Sequence, residues 1–444
     1  MKIAITTLGC KTNQSDAASL AAELLARGHE IVSPQRPAEV YILNTCTVTQ
    51  KTDYQSRQLI RRAIAKNPGA QVIVTGCCAQ VSPESLRVIP GVDWVVGFSE
   101  EEKIPEIVGL GKEAKGARLF SSPMDERRCF KEGRLPSFFG RTRAYLKVQD
   151  GCNAFCSYCV VPYARGRNRS LPLERALTKA RELVRLGCKE IVLTGIHLGT
   201  YGEDLFPPHS LLDLLQALES ERQEMRVRLS SIEPGEFNQR LIDFLADAKK
   251  ICPHLHIPLQ SGDDRILRRM KRNYSSDFFE DLVNHLVRVI PDVAIGLDLI
   301  AGFPGEDEEA FQNTLGLIEK LPIAYLHVFP FSRRKGTLAD SFPGQVPAQV
   351  RKARCQTLRE LGEKKRKLFY DAFLGQKGKV LVESKRDREM GMLKGYSRNY
   401  IPILVPGGDE LTNREVEVEL IEVRGERVFA RLARCEIRNL KSAI

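Results

Sequence analysis

Along residues 1–110, short apolar runs alternate with segments whose apolar positions recur at helical spacing. KIAITTLG, EVYILNTC, QVIVTGCC and DWVVGF read as buried strands. Between them, DAASLAAELLARGHEI and YQSRQLIRRAIAKNPG carry the helical period. Strand–helix alternation predicts a parallel sheet with crossover helices, an open α/β domain over residues 1–112. The text then turns polar and irregular, and 113–140 reads as a linker. A second series follows: RAYLKVQDGC, EIVLTGIHLG, RVRLSSIEP, HLHIPLQSG, AIGLDLIAGFPGE and YLHVFPFS, with helical segments between them. Six such strands over residues 141–370 predict a partial or complete β/α barrel, with the chemistry in loops at strand C-termini. A long basic helix closes that region. Residues 371–441 hold short alternating strands (GKVLVESK, REVEVELIEV, RVFARLARC) that fit a small antiparallel β-barrel.

Composition narrows the function. No apolar run approaches membrane-spanning length, and MKIAITTLGC reads as a first strand meeting a loop rather than a signal peptide. The expected address is cytoplasmic. There, twelve cysteines do not serve as disulfides, so metal ligation or thiol chemistry must account for some of them. The net charge of +11 points to a polyanionic partner, nucleic acid first, although mildly basic enzymes without such a partner are common.

Cys152, Cys156 and Cys159 stand as C-x3-C-x2-C in the loop after the first barrel strand. A zinc site would need a fourth nearby ligand, and the loop supplies none. Three thiolates on a four-iron cluster leave one iron open, to be chelated by a small molecule bearing an amine and a carboxylate. A second set sits in the first domain. Cys10, Cys46 and Cys77 each end a predicted parallel strand, and such ends share one edge of the sheet. Three thiols distant in sequence therefore converge, again with an open iron. The matching Gly–Cys pairs at 9–10 and 76–77 favour Cys77 over Cys78, which reads as a packing residue. Cys129, Cys188, Cys252, Cys355 and Cys435 stand alone, and packing is their expected role.

The three-cysteine loop, with Tyr158 before its last Cys at the top of a first barrel strand, resembles the signature of radical S-adenosylmethionine enzymes. The resemblance implies that methionine's amino and carboxylate groups bind the open iron and that an electron from the cluster cleaves the sulfonium to a 5′-deoxyadenosyl radical. Tyr158, Gly195, Ser231, Glu233, Gln260 and Ser261 would then line the cofactor, with loop capping as the plain alternative for the polar ones. Asp298, within an apolar strand, is either a site residue or a buried hydrogen-bonded carboxylate.

The three domains together resemble the methylthiotransferases over essentially the whole chain. That family implies two 4Fe-4S clusters, the second supplying or carrying sulfur, and S-adenosylmethionine as both methyl donor and radical source. The last domain is similar to the RNA-binding TRAM module. LGCKTNQSD and LTGIHLGTYG most resemble the branch acting on threonylcarbamoyl-modified tRNA adenosine. The sister branches act on isopentenyladenosine in tRNA or on a ribosomal-protein aspartate, and both stay open as alternatives. So does a non-catalytic iron–sulfur RNA-binding protein. VFPFSRRKGTLA departs from the family with Arg333 and Lys335, read as added phosphate affinity. The implied partners are a tRNA anticodon stem-loop, a reductant such as flavodoxin or ferredoxin, and a sulfur donor, with no membrane. The helix Gln349–Tyr370, rich in Lys and Arg beside the TRAM-like region, is expected to touch phosphate.

Overall fold

The computed structural model describes residues 1–112, 116–124, 129–135 and 142–433. Cys435, the end of the last predicted domain and parts of the predicted linker lie outside the described residues.

The first domain is a parallel sheet of β1 (Lys2–Thr7), β2 (Glu30–Val32), β3 (Val40–Thr45), β4 (Gln71–Gly76), β5 (Trp94–Val96) and β6 (Arg118–Phe120), in the order β2-β1-β3-β4-β5-β6. Every residue of β3 and β4 is buried, because both faces are covered. Ile60 and Ala63 of the helix Gln50–Lys66 join Tyr41, Leu43, Val72 and Val74 in one core layer. Leu24 of the helix Lys11–Ala26 joins Ile3, Val40, Ile42 and Trp94 in the other. Two strands exceed the sequence reading. β2 is too short for its period to register. β6 falls in the stretch read as linker and is held there by Phe120 stacking on Trp94 at 5.7 Å.

The second domain contains β7 (Arg143–Lys147), a short antiparallel pair β8 (Gln149–Asp150) and β9 (Arg169–Ser170), then β10 (Glu190–Thr194), β11 (Arg226–Leu229), β12 (His254–Gln260), β13 (Ala294–Ala301) and β14 (Tyr325–Pro330). Parallel sheets β7-β10-β11 and β12-β13-β14 meet through single bridges at Val227–Ile251 and Ser231–His256, giving a six-stranded open barrel. Alternate residues such as Ile191, Leu193, Ile257, Leu297 and Leu299 pack outward against the helices. The intervening ones, including Glu190, Arg228, His256 and Asp298, face the lumen. On β14, the inward His327 and Phe329 remain exposed, so side chains do not fill the interior as they do in a closed barrel.

The first domain closes the seam between the barrel's free edges. On one side Lys147 Nζ lies 2.5 Å from Asp16. On the other, Arg334 beyond β14 donates to Thr47 O at 2.8 Å and pairs with Asp53 at 2.5 Å.

The third domain is a closed barrel, β15 (Lys377–Arg386), β16 (Leu393–Ser397), β17 (Pro402–Val405), β18 (Glu415–Arg424) and β19 (Arg427–Leu432), in the order β15-β16-β17-β19-β18. It docks beneath the open barrel, at the strand N-termini. Arg143 pairs with Glu383 at 2.7 Å, Arg226 Nε donates to Glu415 at 2.7 Å, and Arg228 donates to Arg398 O at 2.8 Å.

Candidate metal centres and barrel lumen

The loop after β8 is shaped before any sulfur is placed. Gly151 has φ +77°, and a Cβ there would lie 1.9 Å from Arg167 O, so only glycine fits. Cys152 N–H then donates to Gly166 O at 3.0 Å and Cys159 N–H to Cys156 O at 2.9 Å, folding the loop so that its three cysteines lie close along it. Burial pushes the Cys159 thiol up to about 12, with the charges of Cys156 and Cys152 adding to it, and burial also raises Cys156. Such thiols keep their protons until a cation displaces them.

Sequence reasoning missed the partners of this loop. His197 Nδ1 stands 3.4 Å from Cys152 Sγ, and its Nε2 is 2.5 Å from Glu236 Oε1. Tyr158 OH accepts a bond from Arg272 Nη2 at 2.8 Å, while Arg272 Nη1 donates to Glu233 at 2.5 Å. Arg272 thus ties together two residues expected to line the cofactor. An arginine in the short connection after the helix Asp264–Met270 offers no periodic signal.

The remaining expected residues divide. Gly195 permits close contact, since a Cβ would lie 2.7 Å from Gln149 Oε1, which accepts the His197 N–H. Gln260 ends β12 at φ +68°, almost fully buried. Ser261 Oγ instead accepts the Asp263 N–H at 3.2 Å and lies 3.5 Å from Thr314 Oγ1, a loop-capping arrangement. Ser231 is exposed, whereas its neighbour Ser230 is buried with a hydroxyl that has no hydrogen-bond partner among the described residues. Asp298 faces the lumen 2.9 Å from His256 Nε2 and 3.3 Å from His327 Nδ1. Burial opposes its charge, but the two imidazoles hold its pKa well below the usual carboxylate range. These three side chains also place possible ligand atoms within 4.8 Å of one another.

The second thiol set is assembled by topology. β4 stops at Gly76, φ +93°, where a Cβ would meet Asn44 Oδ1 at 2.3 Å and Thr45 O at 2.4 Å. Cys77 consequently starts a short helix, Cys77–Val81, rather than continuing the strand. Cys10 Sγ lies 3.7 Å and Cys77 Sγ 3.8 Å from the same atom, Asn13 Oδ1. Cys46 Sγ is 3.1 Å from where a Cβ on Gly9 would sit. Cys78 turns away into the core with Val74 and Ala79. Burial pushes the Cys77 thiol up to about 12 and raises Cys46. Among the described residues, neither thiol set closes its sulfurs within 4.8 Å of one another.

Arg165 joins the two sets. It ends the helix Val161–Arg165, just after Cys159, and is 1 % exposed. Its Nη2 donates to Asn13 Oδ1 at 2.6 Å and Asp16 at 2.7 Å, and its Nη1 to Asp150 at 3.0 Å. Lys147 completes the network, 2.9 Å from Asp150.

The basic helix runs Ala348–Asp371, and its charges are not all available to a partner. Arg354 is buried against Glu306 at 2.8 Å, Arg359 donates to Val328 O, and Lys365 donates to Glu319 O and Leu321 O. Lys352 and Lys364 are exposed.

Residues 146–318 match the radical SAM superfamily, and residues 2–97 match a family described as "Uncharacterized protein family UPF0004". The fold resembles the radical S-adenosylmethionine methyltransferase TsrM of Kitasatospora setae, at TM-score 0.57 and 15% identity, over 76% of this chain and 77% of that one. The loop and barrel therefore define a radical S-adenosylmethionine enzyme, which implies a 4Fe-4S cluster and S-adenosylmethionine. The threonylcarbamoyladenosine tRNA methylthiotransferase MtaB of Bacillus subtilis is 38% identical over 98% of both chains. Its Aquifex aeolicus namesake is 39% identical over 86% of this chain and 93% of that one. The tRNA-2-methylthio-N(6)-dimethylallyladenosine synthase of Moorella thermoacetica is 33% identical over 94% and 95%. The chain belongs to the radical S-adenosylmethionine methylthiotransferase family. Among the described residues no helix is long and apolar enough to cross a membrane.

Proposed function

We propose that this enzyme converts N6-threonylcarbamoyladenosine next to the tRNA anticodon into its 2-methylthio derivative. In this reading Cys152, Cys156 and Cys159 hold the cluster that binds S-adenosylmethionine, and Cys10, Cys46 and Cys77 hold a second. The observation that carries it is the pairing of two three-thiol sets on two domains, joined by one buried arginine beside an unfilled barrel.

The chemistry explains why such a pairing is needed. A purine C2–H bond is neither acidic nor electrophilic, so side-chain acid–base or nucleophilic catalysis cannot exchange it for sulfur. Bound in these sites, the clusters and S-adenosylmethionine supply the one-electron and sulfur chemistry. The chain's own residues orient and enclose. Arg272 fixes Tyr158 and Glu233 as a wall beside Cys156. The first domain covers the open seam of the barrel through Lys147–Asp16 and Arg334–Asp53 and limits water entry. A loop base is unstacked and can enter the barrel, which a duplex base cannot. The exposed lysines of the helix Ala348–Asp371 and the TRAM-like barrel would meet the anticodon stem.

The substrate branch is supported by the relatives named for threonylcarbamoyladenosine, which match at 38% and 39% identity against 33% for the dimethylallyl synthase. A flavodoxin or ferredoxin reductant, a sulfur donor and a cytoplasmic location complete the proposal. The test incubates reconstituted enzyme with tRNA bearing threonylcarbamoyladenosine, tRNA bearing isopentenyladenosine, and the ribosomal-protein substrate. Methylthiolation of the first alone is expected. Product on either other substrate with none on the first would overturn the branch.

A further inference from the structure

The helix Lys11–Ala26 points its first turn into the barrel. Thr12 Oγ1 lies 3.5 Å from Thr194 Oγ1, a buried contact with the C-terminal end of β10. Lys11, one residue earlier, is half-buried, and its electrostatic neighbours are the barrel residues Arg228, Arg143, Glu190 and Asp298. Both carboxylates are already engaged. Glu190 takes Arg228 at 2.9 and 2.8 Å, and Asp298 takes His256 and His327. With both carboxylates taken, the Lys11 ammonium is left to pair with an additional anion.

Two further features show that this interior is prepared for a ligand. Ser230, 7% exposed and inward-facing at the top of β11, has no hydrogen-bond partner for its hydroxyl among the described residues. An orphaned buried hydroxyl is costly and asks for a partner. Across the lumen, Phe329 on β14 is exposed and offers an aromatic face on which a base can stack.

We infer that Lys11 and Ser230 form the subsite that reads the N6 substituent of the substrate base, Lys11 taking its carboxylate and Ser230 its hydroxyl. This rests on the threonylcarbamoyladenosine assignment and adds the residues that enforce it. An isopentenyl group carries neither polar function. Entering this subsite, it would leave Ser230 unpaired and the ammonium without its anion, which is how a polar site rejects an apolar analogue.

The test measures binding of anticodon stem-loops to the full-length reconstituted protein, with iron content measured for every variant. The wild type is expected to bind the threonylcarbamoyl loop more tightly than the isopentenyl loop. Lys11→Gln should weaken the first by roughly ten- to hundredfold, the worth of one hydrogen bond to a charged group, and leave the second unchanged. Lys11→Arg should restore part of the loss, and Ser230→Ala should cost less than Lys11→Gln. A loop whose threonyl carboxylate is converted to its methyl ester tests the same contact without altering the protein. The wild type should bind the ester as weakly as Lys11→Gln binds the acid. Equal wild-type binding of acid and ester, or equal losses on both loops in Lys11→Gln, would overturn the assignment. Failure of the substrate reading is a separate result, since the wild type would then methylthiolate only another substrate.

Discussion

The two thiol sets have the same stoichiometry and opposite construction. Cys152, Cys156 and Cys159 lie within one loop, shaped by Gly151 and two backbone hydrogen bonds and pinned through Ser157 to Arg269 O, Met270 O and Ala339 N. Cys10, Cys46 and Cys77 come from three segments and meet only because β1, β3 and β4 are adjacent and parallel. The first set is gathered by its spacing along one loop, whereas the second exists only when the sheet does. Their surroundings differ accordingly. The loop set is half-buried beside His197, while Cys46 and Cys77 are buried and Arg165 reaches them from the other domain.

The sharpest test of this contrast is deletion. Replacing Cys152, Cys156 and Cys159 by Ala should leave about half of the roughly eight irons of a two-cluster protein. Cys77→Ala should abolish methylthiolation yet leave reductive cleavage of S-adenosylmethionine intact, and Cys78→Ala should be tolerated. The reverse pattern at 77 and 78 would show that the strand ends present the wrong thiol. Iron analysis, 5′-deoxyadenosine release and nucleoside mass spectrometry read these outcomes.

Next in size is the link between the sets. Arg165→Met leaves the buried Asp16 and Asp150 to share Lys147 alone and should cost about 3 kcal/mol in denaturant unfolding. The network also predicts a pH dependence. Burial works against the Asp150 charge, but Lys147 and Arg165 hold its pKa well below the usual carboxylate range. A folded-state pKa lowered in this way stabilises above the unfolded value of about 3.9, and that stability is lost as pH falls below it. Stability should therefore be flat from pH 7 toward 5 and decline below about 4. In Arg165→Met the decline should be shallower.

A smaller effect separates the sets at the backbone. Gly76→Ala forces a Cβ against Asn44 and Thr45 at φ +93° and should cost about 1–3 kcal/mol. It should lower iron in the first domain while sparing the loop set. The smallest effect concerns solvated charge. Changing Lys352 and Lys364 to Ala should leave stability intact and reduce the slope of log affinity for tRNA against log salt by about 1 per lysine. Arg354→Ala, which breaks a buried pair, should instead lower stability with little change in slope.

The relative legibility of these features follows from range. Strand and helix periods are local properties, so the parallel domain, the six barrel strands and the C-x3-C-x2-C loop could be read directly from the chain. The chain also carried the three strand-end cysteines, because parallel strands share an edge whatever their separation. β2 and β6, at three residues each, were too short to show a period, and β16 and β17 carry Gly or Pro that blur the alternation. Within the candidate site, the sequence reading chose Ser231, and the fold turned it outward and its neighbour Ser230 in.

What the sequence by itself determined is the inventory of thiols and the elements that carry them, since side-chain chemistry and short-range pattern are written residue by residue. Which groups share an environment was decided only in three dimensions. Arg165 touches Asn13 across 152 residues, His256 and His327 converge on Asp298 from neighbouring strands, and Lys11 enters a barrel built more than a hundred residues later. None of these pairings has a spacing rule. The first and last arise because the first domain fills the gap left by an incomplete barrel, and the second because β12, β13 and β14 are neighbours, in a buried interior where a charge is costly unless it is paired.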